Sequence, residues 1–562
     1  MADILMLVSG RHYVENEVFQ VENHYLSFGA AVLEKHNYDV KVYDFNLNPQ
    51  EYNIQDLINE KPKLIIVFTH LNSYDWEPNK KLIELISKEE AFKETHLSLW
   101  IQSPNHFHEY LIDGIVDSLY LGNIGEEQSI VRYVSSVLEN CVKDSPATVF
   151  LQNGSIKINK PLPLSSQEEL NELPYYKRYQ FENLKKEKKP FNNLLCLIRS
   201  SYGCYGKCTF CQVQSFADFY ERYNWRIMSP GRVVDEIENV NKEYGVKFFY
   251  FGDPLFIGPG KKGKKYAKEI AREIMRRNID VKFFLYARAD TVDDETIKIL
   301  KEAGLTTILL GLESFSQTQL NRYTKGTKVK TNMRAIDICK KYDIYIHPGF
   351  ILFDAETTIE ELEENIVNLK EICKTKGWLF SKPEKLIGGV LFVTEGTPSH
   401  LEYTKKGFLY NQSAEHIENV DKHALKRNHS EAFIYQNSKL ATIAHACGLV
   451  RGEIGRQILI NQKYRTSCLK RISENPNHQQ SHEELKKLIE WNKYLAKFTV
   501  ETLSYIVEQL KDEEEHEIKQ FEVLDSVWES FMKYNTYFLG KEKALIHSLE
   551  KYQEIKREYV TN

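Results

Sequence analysis

The stretch Cys204-Tyr205-Gly206-Lys207-Cys208-Thr209-Phe210-Cys211 places three thiols within eight residues, directly after the apolar run Leu194 to Ser200. Three soft ligands this close together read as a metal site. Thiolates at such spacing bind zinc or iron–sulfur clusters, but zinc normally takes four protein ligands, and no further Cys or His follows at zinc-finger spacing. An incomplete set of protein ligands suits a cluster with one open iron. A structural zinc knot, or three thiols packed without metal, is the plainer alternative.

Working outward, strand and helix patterns alternate after this loop. Strands are expected at Lys247 to Gly252, Val281 to Ala287, Thr306 to Leu312, Ile344 to Leu352 and Leu386 to Val393, with helical stretches between them. Counting the run before the cysteines gives six βα repeats, which predict a partial rather than a closed eight-stranded barrel. Chemistry in such barrels gathers at the carboxyl ends of the strands. Those ends carry Asp253, then Arg288 and Asp290, then Gly311-Leu312-Glu313-Ser314, then Glu356-Thr357. Glu313 as a surface ion pair and Ser314 as a helix cap are the structural alternatives.

Cys-x3-Cys-x2-Cys with an aromatic residue, Phe210, just before the last Cys resembles the radical S-adenosylmethionine (radical SAM) family. The resemblance implies a [4Fe-4S] cluster on Cys204, Cys208 and Cys211, with the amino and carboxylate groups of SAM on the fourth iron. It also implies an open (β/α)6 barrel of TIM type. The Asp253 turn resembles one that helps to hold SAM. Glu313 and Ser314, with Lys325-Gly326 a few residues on, resemble the family's Gly-x-Glu-Ser segment. Phe210, Asp253, Arg288, Glu313 and Ser314 are therefore expected to contact the cofactors.

Residues 1–150 read as an open α/β unit with a doubly wound parallel sheet. Ile4 to Ser9, Val40 to Phe45, Lys63 to Thr69, Leu97 to Gln102 and Ile115 to Leu121 are strand candidates, and Tyr25 to Lys35 carries helical spacing. Ligands of such sheets bind beyond the carboxyl ends of the strands, here Ser9-Gly10, Thr69 to Ser73, Ser103 to His106 and Gly122 to Glu127. A Rossmann-like unit ahead of a radical SAM core resembles the cobalamin-binding branch of that family, echoed by Leu26-Ser-Phe-Gly29, the Gly122–Glu127 turn and Glu395-Gly-Thr-Pro398. The resemblance implies cobalamin contacts at Thr69, Ser73, Ser103 and Gly122. The Asp-x-His-x-x-Gly motif of other corrinoid proteins is absent. Each of the histidines here, among them His24, His36 and His96, is expected in a structural role.

Residues 151–192 read as a linker, with a hairpin signal at Asn153-Gly154; residues 193–400 form the barrel. Residues 401–562 read as helical. Leu488, Trp491, Leu495, Phe498, Leu503, Ile506 and Leu510 make an apolar stripe, and Phe531, Tyr534, Tyr537 and Phe538 are expected to pack against the barrel.

At 562 residues, three or four domains are expected at about 100 to 200 residues each. A net charge of −5 shows no basic excess of the kind a nucleic-acid surface brings. Nine cysteines, three of them clustered, do not form a disulfide framework, and neither a cleavable leader nor a long apolar run is apparent. A cytoplasmic, oxygen-sensitive protein with no membrane and no nucleic-acid partner is the expectation.

The resemblance implies a cobalamin-dependent radical SAM methyltransferase of specialised or natural-product biosynthesis. Such an enzyme cleaves SAM to a 5'-deoxyadenosyl radical, abstracts hydrogen from a small-molecule or peptide substrate, and transfers methyl from methylcobalamin. Its electron donor would be a protein such as flavodoxin or ferredoxin. Three other readings stand beside it: a radical SAM cyclase or rearrangement enzyme of the same architecture, a transfer-RNA methylthiolase, ranked low because no cysteine precedes Cys141, and a non-enzymatic iron–sulfur or corrinoid sensor.

Overall fold

The structure is a computed structural model that describes residues 2–9, 23–45, 53–69, 76–102, 107–186, 195–213, 219–220, 224–376, 380–410, 430–475, 477–512 and 522–530. Ser73 and Ser103, the loop residues beside them, and the aromatic group at 531–538 lie outside the described residues.

The first sheet runs β2-β1-β3-β4-β5-β6-β7. Its strands are β1 (Ile4–Val8), β2 (Val40–Asp44), β3 (Leu64–Phe68), β4 (His96–Trp100), β5 (Ser118–Tyr120), β6 (Thr148–Gln152) and β7 (Ser155–Ile158). The first five are mutually parallel. Every residue of β1 and β3 is buried, which is why both read as unbroken apolar runs: a parallel sheet is covered on both faces. The β6–β7 pair extends the sheet as an antiparallel hairpin. Its turn, Asn153-Gly154, has φ values of 51° and 73°, the left-handed pair that a two-residue hairpin turn requires.

Short strands β9 (Ser201–Tyr202) and β10 (Arg226–Ile227) pair beside the cysteine loop. The second sheet is parallel throughout, in the order β14-β13-β12-β11-β8, and does not close on itself. It consists of β8 (Leu195–Ile198), β11 (Phe248–Phe251), β12 (Lys282–Arg288), β13 (Leu305–Glu313) and β14 (Tyr345–Phe350). Helices Pro230–Tyr244, Gly260–Arg276, Asp294–Glu302 and Val329–Lys341 follow their strands and pack side by side. Each turns one apolar face to the sheet by helical spacing: Gly263, Tyr266, Ala267, Ile270, Ala271 and Ile274 are the buried residues of the second. The opposite face of the sheet is the inner face of a partial barrel.

The expected sixth strand, Leu386 to Val393, is not continuous. A 3₁₀ turn at Pro383–Leu386 takes its first residue. Only isolated parallel bridges remain, Phe380 beside Ile346 and Val390 beside Phe353. Gly389 lies so close to β14 that a Cβ there would sit 2.3 Å from the Phe350 carbonyl oxygen. Val393–Thr394 (β15) turns away to pair with Ser430–Glu431 (β16).

The expected helical stripe is borne out: Leu488, Trp491, Leu495, Leu503, Ile506 and Leu510 are buried along helix Gln479–Leu510, which packs on Ser438–Glu474 and on Ile359–Lys376. The segment between the two sheets ties to both. Arg178 donates to Glu236 at 2.7 Å and to the Leu197 carbonyl at 3.1 Å, while Tyr179 donates to Asp44 at 2.7 Å and accepts from the Asn23 amide at 2.9 Å.

Candidate active site

The cysteine loop follows β8 at the carboxyl edge of the second sheet. Its backbone is pinned from outside: the Thr209 amide donates to the Tyr323 carbonyl at 3.0 Å, and the Ser399 amide donates to the Thr209 carbonyl at 2.9 Å. The Gly206 amide donates to Cys204 Sγ at 3.3 Å, and Arg288 Nη1 donates to Cys208 Sγ at 3.4 Å. Burial pushes the Cys204 thiol up, and the Cys211 thiol up to about 12. Iron binding would release those protons. Among the described residues no three His, Cys, Asp or Glu side chains converge tightly enough to clasp a single ion. The cysteines of a cubane cluster each grip a different iron and so stand farther apart than the ligands of one ion. Three thiols, an amide donor and a guanidinium donor on the sulfurs fit such a cluster.

Arg288 ends β12 and is held from three sides. Its Nε donates to Asp290 at 3.0 Å, its Nη2 to the Lys325 carbonyl at 2.5 Å, and its guanidinium lies 5.2 Å from the centre of the Tyr205 ring. Tyr205 in turn donates to Asp290 at 2.9 Å. Burial works against the charge of Arg288, but Asp290, Cys208 and Tyr205 outweigh it and hold the group above its ordinary range.

Glu313 sits at the end of β13, where the register against β14 slips, and adopts a φ of 61°. A non-glycine residue in that region carries backbone strain. The carboxylate is turned back over Gly311, and a Cβ on Gly311 would lie 2.7 Å from Glu313 Oε1 and 2.8 Å from Lys325 Nζ. Lys325 Nζ donates to that carboxylate at 2.6 Å with both side chains buried. Burial opposes the ammonium, yet Glu313 and then Cys208 raise it overall. A buried cation thus stands between a carboxylate and the thiols.

The other expected contacts are engaged inside the protein. Asp253 is fully buried and accepts from the Ser200 amide at 2.8 Å and from the Ser201 amide, so it fixes the backbone that leads into the cysteine loop. Burial raises its carboxyl, against Arg199 and those two amides. Ser314 Oγ lies 2.6 Å from Gln319 Oε1 and 3.1 Å from Asn365 Oδ1, and accepts from the Ser316 amide at 2.9 Å. Phe210 meets the Tyr323 ring edge-on at 5.7 Å, and Tyr323 donates to the buried Asp354 at 2.5 Å. Sequence reasoning did not single out Tyr205, Tyr323, Gln319 or Asn365. Tyr205 was within reach, as an aromatic inside the cysteine motif; the others lie more than a hundred residues from that motif.

At the carboxyl edge of the first sheet, the Ser9 amide donates to Asn79 Oδ1 at 2.8 Å. Thr69 Oγ1 and Asn79 Nδ2 are buried there without partners among the described residues. Unpaired polar atoms at the crevice of an open α/β sheet fit the polar groups of a bound cofactor. Gly122 accepts from Trp100 Nε1 at 2.6 Å, and its side-chain space is taken by Tyr120, whose hydroxyl would lie 1.8 Å from a Cβ. Glu126 accepts from Arg226 at 2.8 Å and from Ser165 at 2.8 and 2.9 Å, which joins this turn to the second sheet's side. His36 contacts Glu127 at 2.7 Å and His96 contacts Ser118 at 2.8 Å. Arg199 reaches His24 at 3.2 Å, also from the second sheet's side.

Residues 198–367 match the radical SAM superfamily. An uncharacterized methyltransferase of Pyrococcus horikoshii is 28% identical over 223 residues, 40% of this chain and 46% of the relative. An anaerobic magnesium-protoporphyrin IX monomethyl ester cyclase of Rubrivivax gelatinosus is 31% identical over 31% of this chain and 30% of its own length. The chain thus spans less than half of the length of these curated relatives. Among solved structures, the cobalamin-dependent radical SAM enzyme OxsB, with aqua-cobalamin and SAM bound, aligns with all of this chain and 80% of its own, at 18% identity and a TM-score of 0.69. The methyltransferase TsrM of Kitasatospora setae, with tryptophan and a SAM analogue bound, covers 79% of this chain and 88% of its own at 14% identity and a TM-score of 0.57. Residues 198–367 are a radical SAM domain, set in a chain whose fold is that of the cobalamin-dependent radical SAM enzymes.

Proposed function

We propose that the protein is a cobalamin-dependent radical SAM methyltransferase acting on carbon in a small specialised metabolite. The observation that carries this reading is the loop of Cys204, Cys208 and Cys211 at the carboxyl edge of the second sheet, with the Arg288 guanidinium 3.4 Å from Cys208 Sγ. When bound, the cluster and SAM would supply a 5'-deoxyadenosyl radical that takes hydrogen from the substrate, and cobalamin would supply the methyl group. Cys204, Cys208 and Cys211 would hold the cluster. Glu313, Arg288 and Lys325 offer a carboxylate and two cations to the amine and carboxylate of SAM. Phe210 and Tyr323 form an apolar flank that excludes water. Thr69 and Asn79, with Ser73 and Ser103, would meet the corrinoid. A donor of the flavodoxin or ferredoxin type would deliver the electron.

Anaerobic purification and an absorption spectrum read cluster and corrinoid together. Dithionite and SAM should then yield 5'-deoxyadenosine, and with substrate also S-adenosylhomocysteine. The triple variant Cys204→Ala, Cys208→Ala, Cys211→Ala should lose the cluster spectrum and reduce 5'-deoxyadenosine to background; unchanged formation would overturn the reading. The match to magnesium-protoporphyrin cyclases favours a second reading, a radical cyclase, in which 5'-deoxyadenosine forms with substrate present but S-adenosylhomocysteine does not.

A further inference from the structure

The turn after β5, residues 122–127, and the cysteine loop after β8 stand at the ends of different sheets, yet one set of side chains grips the turn and borders the loop. Tyr202, on β9 just before Cys204, is fully buried, and its ring lies against the turn: a Cβ on Gly125, where φ is 92°, would come within 2.6 Å of it. Only glycine fits there on both counts. Tyr220, after Cys211, accepts from the Asn123 amide at 3.1 Å and donates to the Leu121 carbonyl at 3.4 Å. Arg226, on β10, donates to Glu126 at 2.8 Å and to the Ser165 carbonyl at 2.7 Å. The Ser165 amide donates to Glu126 at 2.8 Å, and the Ser165 hydroxyl lies 2.9 Å from both the Glu126 carboxylate and the Gly125 carbonyl.

The grip comes from both flanks of the cysteine loop, and those flanks are joined to each other. β9 and β10 pair with Tyr202 opposite Arg226, and the Arg226 guanidinium lies 5.9 Å from the centre of the Tyr202 ring. Asp253 accepts from the Ser201 amide, and Ser201 Oγ donates to the Leu255 carbonyl at 3.1 Å, so the ribbon is seated on the second sheet. The Glu126 side chain is 4% exposed and that of Arg226 14%, so solvent ions screen this pair far less than a surface pair. A guanidinium fork that serves a carboxylate and a carbonyl at once fixes direction as well as distance. Tyr179–Asp44 and Lys177–Glu34 tie the first sheet to the linking segment elsewhere. The ribbon's bonds differ in converging on the one turn expected to meet a corrinoid and on the strand that leads into the cysteines.

We infer that Tyr202, Tyr220 and Arg226 are positioning residues that couple the two cofactor sites: the β9–β10 ribbon carries the setting of the cysteine loop to the corrinoid turn, so that a filled cluster site tightens the corrinoid site and the reverse. The inference rests on the reading that the loop holds the cluster and the first edge takes the corrinoid. None of the three has to touch either cofactor. Tyr220 acts through the Asn123 amide and the Leu121 carbonyl, Arg226 through Glu126, and Tyr202 through the backbone of Gly125. Coupling of this kind is reciprocal, because both ligands bias one shared element.

The test is an anaerobic absorption titration of the full chain with hydroxocobalamin, once with the cluster reconstituted and once after a chelator has stripped it. The loaded parent should bind at least about fivefold more tightly than the stripped parent, the lower end of ordinary coupling. Arg226→Met should bring that ratio close to one. Arg226→Lys keeps a charge for Glu126 without the fork and guards against a folding failure of the Met variant; its ratio should fall between the two. Thr69→Val, at the first edge but away from the ribbon, should weaken binding in both states by a like factor and leave the ratio unchanged. Residues that only held the fold together would lower stability and leave the ratio alone. A ratio of one in the parent, a ratio that both Arg226 variants retain, or a ratio lost equally in Thr69→Val overturns the inference while corrinoid binding itself stands. Absence of binding in both states of the parent overturns the reading beneath it as well, so the two failures are distinct results.

Discussion

The carboxyl edges of the two sheets differ in how their polar groups are satisfied. At the second edge, Asp253, Arg288, Glu313, Ser314 and Lys325 are each hydrogen-bonded within the protein. At the first edge, Thr69 Oγ1 and Asn79 Nδ2 are buried with no partner among the described residues. A buried donor or acceptor without a partner costs free energy until a ligand completes it. The second edge is therefore preorganised by the chain itself, while at the first the described residues leave two buried polar atoms open.

The strongest attack on that contrast is at Lys325. Lys325→Met leaves Glu313 buried beside Gly311 with no cation, and breaking a buried pair in this way costs about 3–5 kcal/mol. Denaturant unfolding should show a loss of that size, and a loss below about 1 kcal/mol would mean that the edge is not preorganised by this pair. Asp253→Ala removes the acceptor for the Ser200 and Ser201 amides, and should cost about 1.5–3 kcal/mol, the range for hydrogen bonds to a charged group. The variant should also lose cluster occupancy on reconstitution, measured as iron per chain, because Asp253 fixes the approach to the cysteine loop.

His347 sharpens the contrast from inside the second sheet, since its imidazole has no hydrogen-bond partner among the described residues. Burial, with the charges of Lys385 and Lys382, holds its imidazole down at about 3 against an ordinary 6.5. The folded state binds fewer protons than the unfolded chain between those values, so stability is fully present above 6.5 and is lost as pH falls toward 3. From about pH 7 to about pH 5 this amounts to about 2 kcal/mol. His347→Gln should flatten that part of the stability profile, and a profile of unchanged slope would show that the imidazole is solvated.

Local pattern located most of the fold. Unbroken apolar runs marked β1 and β3, helical spacing marked Gly260–Arg276 and Gln479–Leu510, and three thiols marked the loop after β8. It could not say which way a strand-end side chain turns, because the partners are distant in the chain. Ser200 and Asp253 are 53 residues apart, and Ser314 and Asn365 are 51. Asp253 and Ser314 were legible as strand-end polar residues, but not as the internal ties that they form here. The sixth strand failed for a different reason. Leu386 to Val393 is apolar enough for a strand, yet the 3₁₀ turn Pro383–Leu386 takes its first residue, pairing is confined to residues 389–391 against Leu352 and Phe353, and Val393–Thr394 pairs elsewhere.

The smallest expected effect is the most discriminating, because its sign differs between the two edges. Thr69→Val replaces a hydroxyl that is fully buried, and unpartnered among the described residues, with a methyl of similar size. Without corrinoid the variant should be as stable as the parent or up to about 1 kcal/mol more stable, since the desolvation cost of the hydroxyl is removed. A corresponding deletion at the second edge, such as Ser314→Ala, should destabilise by about 1 kcal/mol, because Gln319, Asn365 and the Ser316 amide lose a partner. Corrinoid titration completes the comparison: Thr69→Val should bind it more weakly while being no less stable, a pairing that a merely structural threonine does not produce. Should Thr69→Val instead unfold more easily by a kcal/mol or so, its hydroxyl already has a partner in the free protein, and the first edge is as self-sufficient as the second.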